Sequence, residues 1–294
     1  MPRPSASPRL ALIAAAALFS TGGAAIKATS LTGWQVASFR SAVAAAALAL
    51  FLPGARARWS RRVVLVGAAY ATTMILFVLA NKLTTAANTI FLQSTAPLYL
   101  LLLSPWLLHE PIRRRDLGLL LAMASGLCMV ALGHEASSAT APDPVKGNVL
   151  AILSGVCWAF TMLGLRGLSR DATPGQPSPA APAMVAGNLL ACAATLPMAL
   201  PMVSGTGRDA LLIGYLGVFQ IGLAYAFVSR GLRQVRALEA ALLLLVEPVL
   251  NPLFAWLVHG EWPGPWTMAG GAVILTATVV EAALPASDRA ARPR

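Results

Sequence analysis

Charged side chains are scarce in this chain: 11% of its 294 residues, only 11 of them acidic. An ordinary soluble domain carries about 25% charged and 45–50% apolar residues. Here 57% of residues are hydrophobic before the 24 glycines are counted, and the mean hydropathy is +0.70. That much apolar surface cannot be hidden inside one water-facing globule, so lipid must act as the solvent. Cysteine is almost absent. Cys128, Cys157 and Cys192 lie far apart within apolar runs and form no CxxC pair, which excludes a disulfide framework or thiolate metal site. His109, His134 and His259 form no spaced set either, so neither a metal nor a cofactor is expected. Missing too are GxxxxGK[ST], which excludes ATP binding by a phosphate loop, and HExxH, GxSxG or clustered carboxylates, which argues against an enzyme.

What the chain has instead is apolar runs of membrane length. Ten are bounded by charge, proline or glycine: 9–26, 33–52, 62–80, 85–108, 115–133, 146–165, 182–203, 210–229, 236–259 and 265–284. The first follows Arg3 and Arg9 and has the look of a secretory leader. Phe19 to Lys27, however, lays over Trp158 to Arg166, and a discarded leader has no reason to resemble an internal helix. It is read as a true span. The net charge of +11 does not mark a nucleic-acid face, because the arginines fall in short gaps between the runs. With a cytoplasmic N-terminus, 17 cations lie inside and 4 outside (Lys27, Lys82, Lys146 and Arg208), with Arg40 within a span. The positive-inside rule then puts both termini in the cytoplasm.

One stretch occurs twice, 151 residues apart. Ala86-Ala87, Pro97 and Glu110 recur as Ala237-Leu238, Pro248 and Glu261. The turn after Glu110 is the cationic PIRRRD, and the matching turn after Glu261 is WPGPWT, without a cation. Five spans per copy invert the second copy relative to the first, and the charges agree. The expected fold is all-α integral membrane, ten transmembrane helices as two inverted five-helix repeats. Residues 1–136 form the first repeat, 137–145 the linker, 146–284 the second repeat and 285–294 a cytoplasmic tail. Repeats of this kind build transporters with a midplane site.

Arg40, about eight residues from the outer end of the second span, costs on the order of 2.5–3.5 kcal/mol to insert. It either snorkels, sits in a fixed ion pair, or serves as counter-charge to an anionic substrate group. Glu247, near the middle of the ninth span, is its partner, a proton-coupling carboxylate or a protonated acid. Pro97 and Pro248 stand at equivalent places and free the carbonyls of Gln93 and Leu244, as hinges or as packing kinks. Tyr70, Thr73, Gln93, Trp158, Gln220, Tyr225 and Asn251 share mid-span depth, as cavity-lining groups or as interhelical hydrogen bonds. Tyr215, Gly222, Tyr225 and Ser229 are expected on one helical stripe. Glu110 and Glu261 read as acids at the N-termini of the helices that follow them, and Lys27 and Arg166 as interfacial anchors or gate residues.

These features resemble the drug/metabolite transporter superfamily, specifically an EamA-type ten-span permease. The likeness is carried by ALFSTGGAAIK, Arg40, TTAANTIFLQSTAPLYLLLLSPWLLHE, GNVLAILSGVCWAFTMLGLR, ALEAALLLLVEPVLNPLFAWLVHGE and MAGGAVIL, and spans about residues 10–283. It implies a bacterial inner-membrane carrier, often an exporter of amino acids or other small metabolites and often proton-coupled, with a cavity between the halves. The PGQPSPAAP loop and the three arginines after Glu110 depart from the pattern. The expected partners are a small-molecule substrate, the lipid bilayer and a coupling proton, with no nucleic acid. A membrane scaffold or a membrane-embedded enzyme is the alternative. Reporter fusions to the two ends are expected to read out in the same, cytoplasmic compartment; ends in different compartments would undo the ten-span inverted reading.

Overall fold

The computed structural model describes residues 6–52, 54–57, 59–107, 114–133, 136–170, 180–202, 205–232, 235, 240 and 243–283. They are helical almost throughout: α1 (Ala6–Ser20), α2 (Gly22–Lys27), α3 (Gly33–Phe51), α4 (Arg61–Leu83), α5 (Ala86–Gln93), α6 (Ala96–Leu107), α7 (Arg114–Leu132), α8 (Pro144–Arg170), α9 (Ala180–Ala199), α10 (Gly207–Tyr215), a π-helix (Leu216–Leu223), α11 (Ala224–Leu232), α12 (Val246–His259) and α13 (Pro265–Ala283). No strand is present among the described residues beyond an isolated bridge between Ser138 and Ala141. Seven helical stretches are long and apolar enough to cross a membrane: Pro8–Lys27, Gly33–Phe51, Arg61–Leu83, Ala86–Leu103, Pro144–Leu168, Ala180–Ala199 and Gly207–Gly231. Asp116–Leu132 and Pro265–Val280 are shorter apolar helices, and α12 has 14 residues.

The helix ends follow local chemistry. Thr32 and Thr206 close capping boxes with Gln35 and Asp209, and the hydroxyls of Ser60 and Thr85 accept from Val63 N and Asn88 N. Each cap satisfies an amide that the helix cannot pair internally. The proline breaks fall where the repeat puts them. α5 ends at Gln93 and α6 begins at Ala96, one residue before Pro97; α12 begins at Val246, two before Pro248. In both cases proline sits in the first turn of the new helix, where its missing amide would lack a partner anyway. Gly155 of α8 packs there against the carbonyls of Leu92 and Gln93.

Two boundaries move. The linker expected over 137–145 is shorter, since helix begins at Pro144, and α9 starts at Ala180, within the stretch read as loop. The remainder of that loop, Glu110 and the tail at 285–294 lie outside the described residues.

The packing is inside-out relative to a soluble protein. Asn81, Asn88, Asn148, Asn188 and Asn251 are buried, while Leu65, Leu121, Leu211 and Trp262 are exposed. α3 packs on α9, α4 on α8 and α9, α5 on α8, α1 on α11 and α12, and α7 on α13. Backbones approach closely where glycines face each other, as small residues allow between membrane helices. A Cβ at Gly270 of α13 would lie 2.6 Å from Gly126 O of α7, and one at Gly187 of α9 would lie 2.7 Å from Gly67 O of α4. Backbone cannot yield to such contacts. Gly270→Leu is therefore expected to destabilise the protein by about 1–3 kcal/mol through overpacking. Gly214→Leu, at a position open to its surroundings, leaves stability unchanged. The melting temperature of detergent-purified protein checks both.

Candidate functional site

Arg40 projects from α3 into the middle of the bundle and is 1% exposed. Its Nη2 lies 3.6 Å from Met74 Sδ, and its Nε has no hydrogen-bond partner. Tyr70 of α4 and Tyr225 of α11 are close enough to feel its charge. Their rings meet edge to face with centroids 6.2 Å apart, and Phe19 of α1 meets Tyr225 at 5.1 Å. The Tyr70 hydroxyl is buried, with Tyr225 and Asn188 as its nearest polar neighbours but no bond of good geometry to either. Its ring rests on Gly187, where a Cβ would come within 2.6 Å of Cδ1, and Asn188 beside it leaves Oδ1 unpartnered. Four helices thus converge on one guanidinium with spare donors and a ring of aromatic walls.

Glu247 is half-buried on α12 and near enough to act on Tyr225. Among the described residues it makes no ion pair with Arg40, though both charges are near enough to act on Tyr225. Gln220, in the π-helix, donates to Phe19 O at 3.5 Å. Asn251 is buried on α12, one helical turn beyond Glu247, with both amide atoms unpartnered. Two expected residues, Thr73 and Gln93, bond elsewhere. The Thr73 hydroxyl donates to Ala69 O and lies 3.4 Å from the Thr161 hydroxyl; Gln93 donates to Ser154, which donates to Thr73 O. Those side chains stitch the seam between α4, α5 and α8. Trp158 is half-buried on α8.

The expected stripe of Tyr215, Gly222, Tyr225 and Ser229 does not survive. The π-helix over Leu216–Leu223 has a wider turn than an α-helix and shifts the register. Tyr215 bonds Thr21 at 2.8 Å and Tyr225 faces Phe19, both on the α1–α2 side, whereas Gly222 lies against Ala47 of α3.

At one end of the bundle the polar groups are fully engaged. Lys27 Nζ lies 3.0 Å from Glu261 Oε2, with both side chains 3–4% exposed, and donates to Thr84 O at 2.7 Å and to Thr140 O. Glu261 Oε1 accepts from Ala86 N at 2.5 Å. Glu261 therefore serves the N-terminus of α5, not that of the helix after it, and Lys27 is a buried ion-pair partner, not an interfacial anchor. Around them His259 Nε2 lies 2.8 Å from Ala24 O, Lys82 bonds Thr29, and Asp209 accepts from Ser30 N and Oγ at 2.7 Å. Above the pair opens a shallow cavity of about 490 Å³ lined by Thr85, Ser138, Thr140, His259, Glu261 and Trp262. Arg166, which pairs with Lys27 in the repeat, is exposed.

The model of the EamA-like transporter family matches residues 7–132 and again residues 145–281. The chain belongs to the EamA-like transporter family. A crystal structure described only as that of a protein is 22% identical, with a TM-score of 0.59, over 94% of this chain and 96% of the other; the likeness is one of fold. Among curated proteins none matches. The two matched segments are the two copies read from the repeat, and this EamA-like transporter is a multi-pass membrane protein of the drug/metabolite type.

Phe19, Asn188, Asn81 and the Lys27–Glu261 pair escaped the sequence reading. Phe19 was noticed only as an alignment marker, and Asn81 lies close to a helix end, where polar residues attract no notice. A buried pair in this EamA-like transporter makes a testable prediction, because removing one partner strands a charge away from water. Lys27→Met is expected to cost about 3–5 kcal/mol of stability, whereas Lys27→Met combined with Glu261→Gln, which still accepts from Ala86, recovers most of it. Thermal unfolding of the single and double variants in detergent checks the coupling.

Proposed function

We propose that this EamA-like transporter is a secondary or facilitative carrier that exports a small carboxylate or zwitterion, such as an amino acid, across the cell (inner) membrane. Ten spans form two inverted five-helix repeats with both termini in the cytoplasm. Offsetting by the repeat carries the α4–α8 contact onto that of α1 with α10–α11. It carries α4–α9 onto α3 with the π-helix, and α6–α8 onto α12–α1; α3–α9 and α7–α13 map onto themselves. That exchange is what a two-fold axis in the bilayer plane produces, and it supports alternating access by rocking one half against the other.

The observation that carries the substrate reading is Arg40. A guanidinium 1% exposed, with no carboxylate paired to it among the described residues, its Nε unpartnered and Tyr70 and Tyr225 beside it, is suited to an anion. Carboxylate recognition by two parallel N–H bonds suits that geometry. Pro97 and Pro248 interrupt their helices at the pseudo-equivalent points and act as hinges. Glu247 faces the same chamber, either as a partner for a substrate ammonium or as the carrier of a coupling proton. On this reading Lys27 and Glu261 close the outer end, and the structure is the state shut towards the outside.

Arg40→Ala is expected to lower counterflow of the transported carboxylate in reconstituted vesicles by tenfold or more, with folding and insertion intact by size-exclusion chromatography. Arg40→Lys keeps the charge without the planar fork and falls in between. Undiminished flux in Arg40→Ala would remove Arg40 from the substrate site.

A further inference from the structure

Phe19, Gly23 and Lys27 lie four residues apart along the first membrane stretch and share one face of it. Phe19 meets Tyr225 in the central chamber, and Lys27 meets Glu261 at the closed end. Between them Gly23 offers no side chain, and two amides occupy the space. A Cβ at Gly23 would stand 2.9 Å from Asn251 Oδ1, 3.1 Å from Asn81 Oδ1 and 2.9 Å from the Ala86 methyl, which closes the remaining side. The two oxygens are thus at most about 6 Å apart, a gap that one group placed about 3 Å from each can bridge. Asn81 is wholly buried and Asn251 is 1% exposed. Neither oxygen has a hydrogen-bond partner among the described residues. Nor has Oε1 of Gln220, whose amide packs against the adjacent Gly22.

The orientation of two of these amides is set by their own donors. Asn81 gives Nδ2 to Phe77 O at 3.0 Å, and Gln220 gives Nε2 to Phe19 O. What they present to the interior is oxygen. Asn251 has both amide atoms unpartnered and is free to turn its oxygen the same way. Leaving a buried acceptor unmet costs about 1–3 kcal/mol, so the two oxygens that meet beside Gly23, with that of Gln220 at the adjacent Gly22, call for a donor. An anion would face oxygen there. A group that is positive, small and rich in donors meets them. Glu247, one turn further in from Asn251 on α12, continues the row of oxygens towards the chamber, and the charge of Lys27 is already neutralised by Glu261.

We infer that Asn81, Asn251 and Gln220 form a subsite for a small monovalent cationic group, a substrate ammonium or an alkali ion, between the Arg40 chamber and the Lys27–Glu261 closure. It deepens the carrier reading by giving the positive end of a zwitterion its own place, while Arg40 takes the carboxylate. It does not depend on flux to be tested.

The test is thermal unfolding of the full purified chain in detergent, titrated with methylammonium chloride or sodium chloride against tetramethylammonium chloride at equal ionic strength. A saturable stabilisation by methylammonium or by sodium, absent with tetramethylammonium, is expected. Methylammonium alone assigns the subsite to an amino group; sodium, alone or in addition, assigns it to an alkali ion. Asn81→Leu and Gly23→Ala, the latter filling the point between the two amides, should each weaken the apparent affinity about tenfold or more, as loss of a hydrogen bond to a charged group does. Asn251→Asp should tighten it, which keeps the test decisive where a leucine variant fails to fold. No cation-specific shift, or affinity unmoved by these substitutions, overturns the inference. If counterflow is absent from the wild type while the cation shift persists, the carrier reading fails and the subsite stands.

Discussion

Hydrocarbon makes no hydrogen bonds, and this one property of the surrounding solvent orders the whole molecule. Backbone polarity is consumed within helices, and the helix ends carry threonine and serine caps. Side-chain polarity is drawn inward, leaving leucine and tryptophan to face lipid. Most buried amides and hydroxyls accordingly pair across helices. The Asn88, Asn148, Thr84 and Thr267 set is closed in this way, with bonds of 2.6 to 3.3 Å. Against that background, the buried polar atoms left unmet gain meaning. Those of Gln220, Asn81 and Asn251 lie against Gly22 and Gly23 of α2, and those of Arg40, Ser41, Tyr70 and Asn188 belong to α3, α4 and α9 beside them.

The two halves have diverged unevenly around that row. α4 is regular from Arg61 to Leu83, whereas its counterpart is interrupted by the π-helix that carries Gln220. Adding 151 to Asn81 reaches Leu232, and subtracting it from Asn251 reaches Leu100. The amides beside Gly23 thus have apolar counterparts in the other copy. A perfectly symmetric pair of repeats would make the inward- and outward-facing states equal in energy. On the proposed carrier reading, polar groups on one side of the chamber only remove that equality, because they would solvate a charged ligand on its way to one face and not to the other.

Much of this was legible in the sequence because membrane physics writes itself in long, coarse patterns. Seven of the ten apolar runs correspond to helical stretches long enough to cross a membrane, and the proline breaks fall at helix starts in both copies of the duplication. Arg40, Tyr70, Tyr225 and Glu247 stood out because charge and aromatic hydroxyls are rare at mid-span depth, and these four do converge. Thr73 and Gln93 shared that depth but turned to the α4–α8 seam, since depth says nothing of which way a residue faces. The stripe through Gly222 failed for a related reason. Helical periodicity assumes a uniform turn, and the π-helix shifts register by widening one. Lys27 and Glu261 were read as belonging to their own helix ends because their partnership spans 234 positions, and no local pattern encodes it.

That partnership also explains how a closed end can be tight and still open. Lys27 has three N–H groups, and they go to Glu261, Thr84 O and Thr140 O, so one ammonium joins the end of α2, the turn before α5, the connection ahead of α8 and the turn before α13. Dry, each of these contacts is strong. Yet a buried ion pair contributes little net stability, because desolvating both charges offsets most of their attraction. In the rocking motion proposed above, water that enters lets ammonium, carboxylate and carbonyls all recover hydration, and the loss of the pair is largely offset. An apolar plug would have no such compensation, since exposing it to water costs about 25 cal/mol for every Å². A buried pair holds this end shut in the dry state and yields once wetted, which is the behaviour that the proposed alternating access asks of a closure.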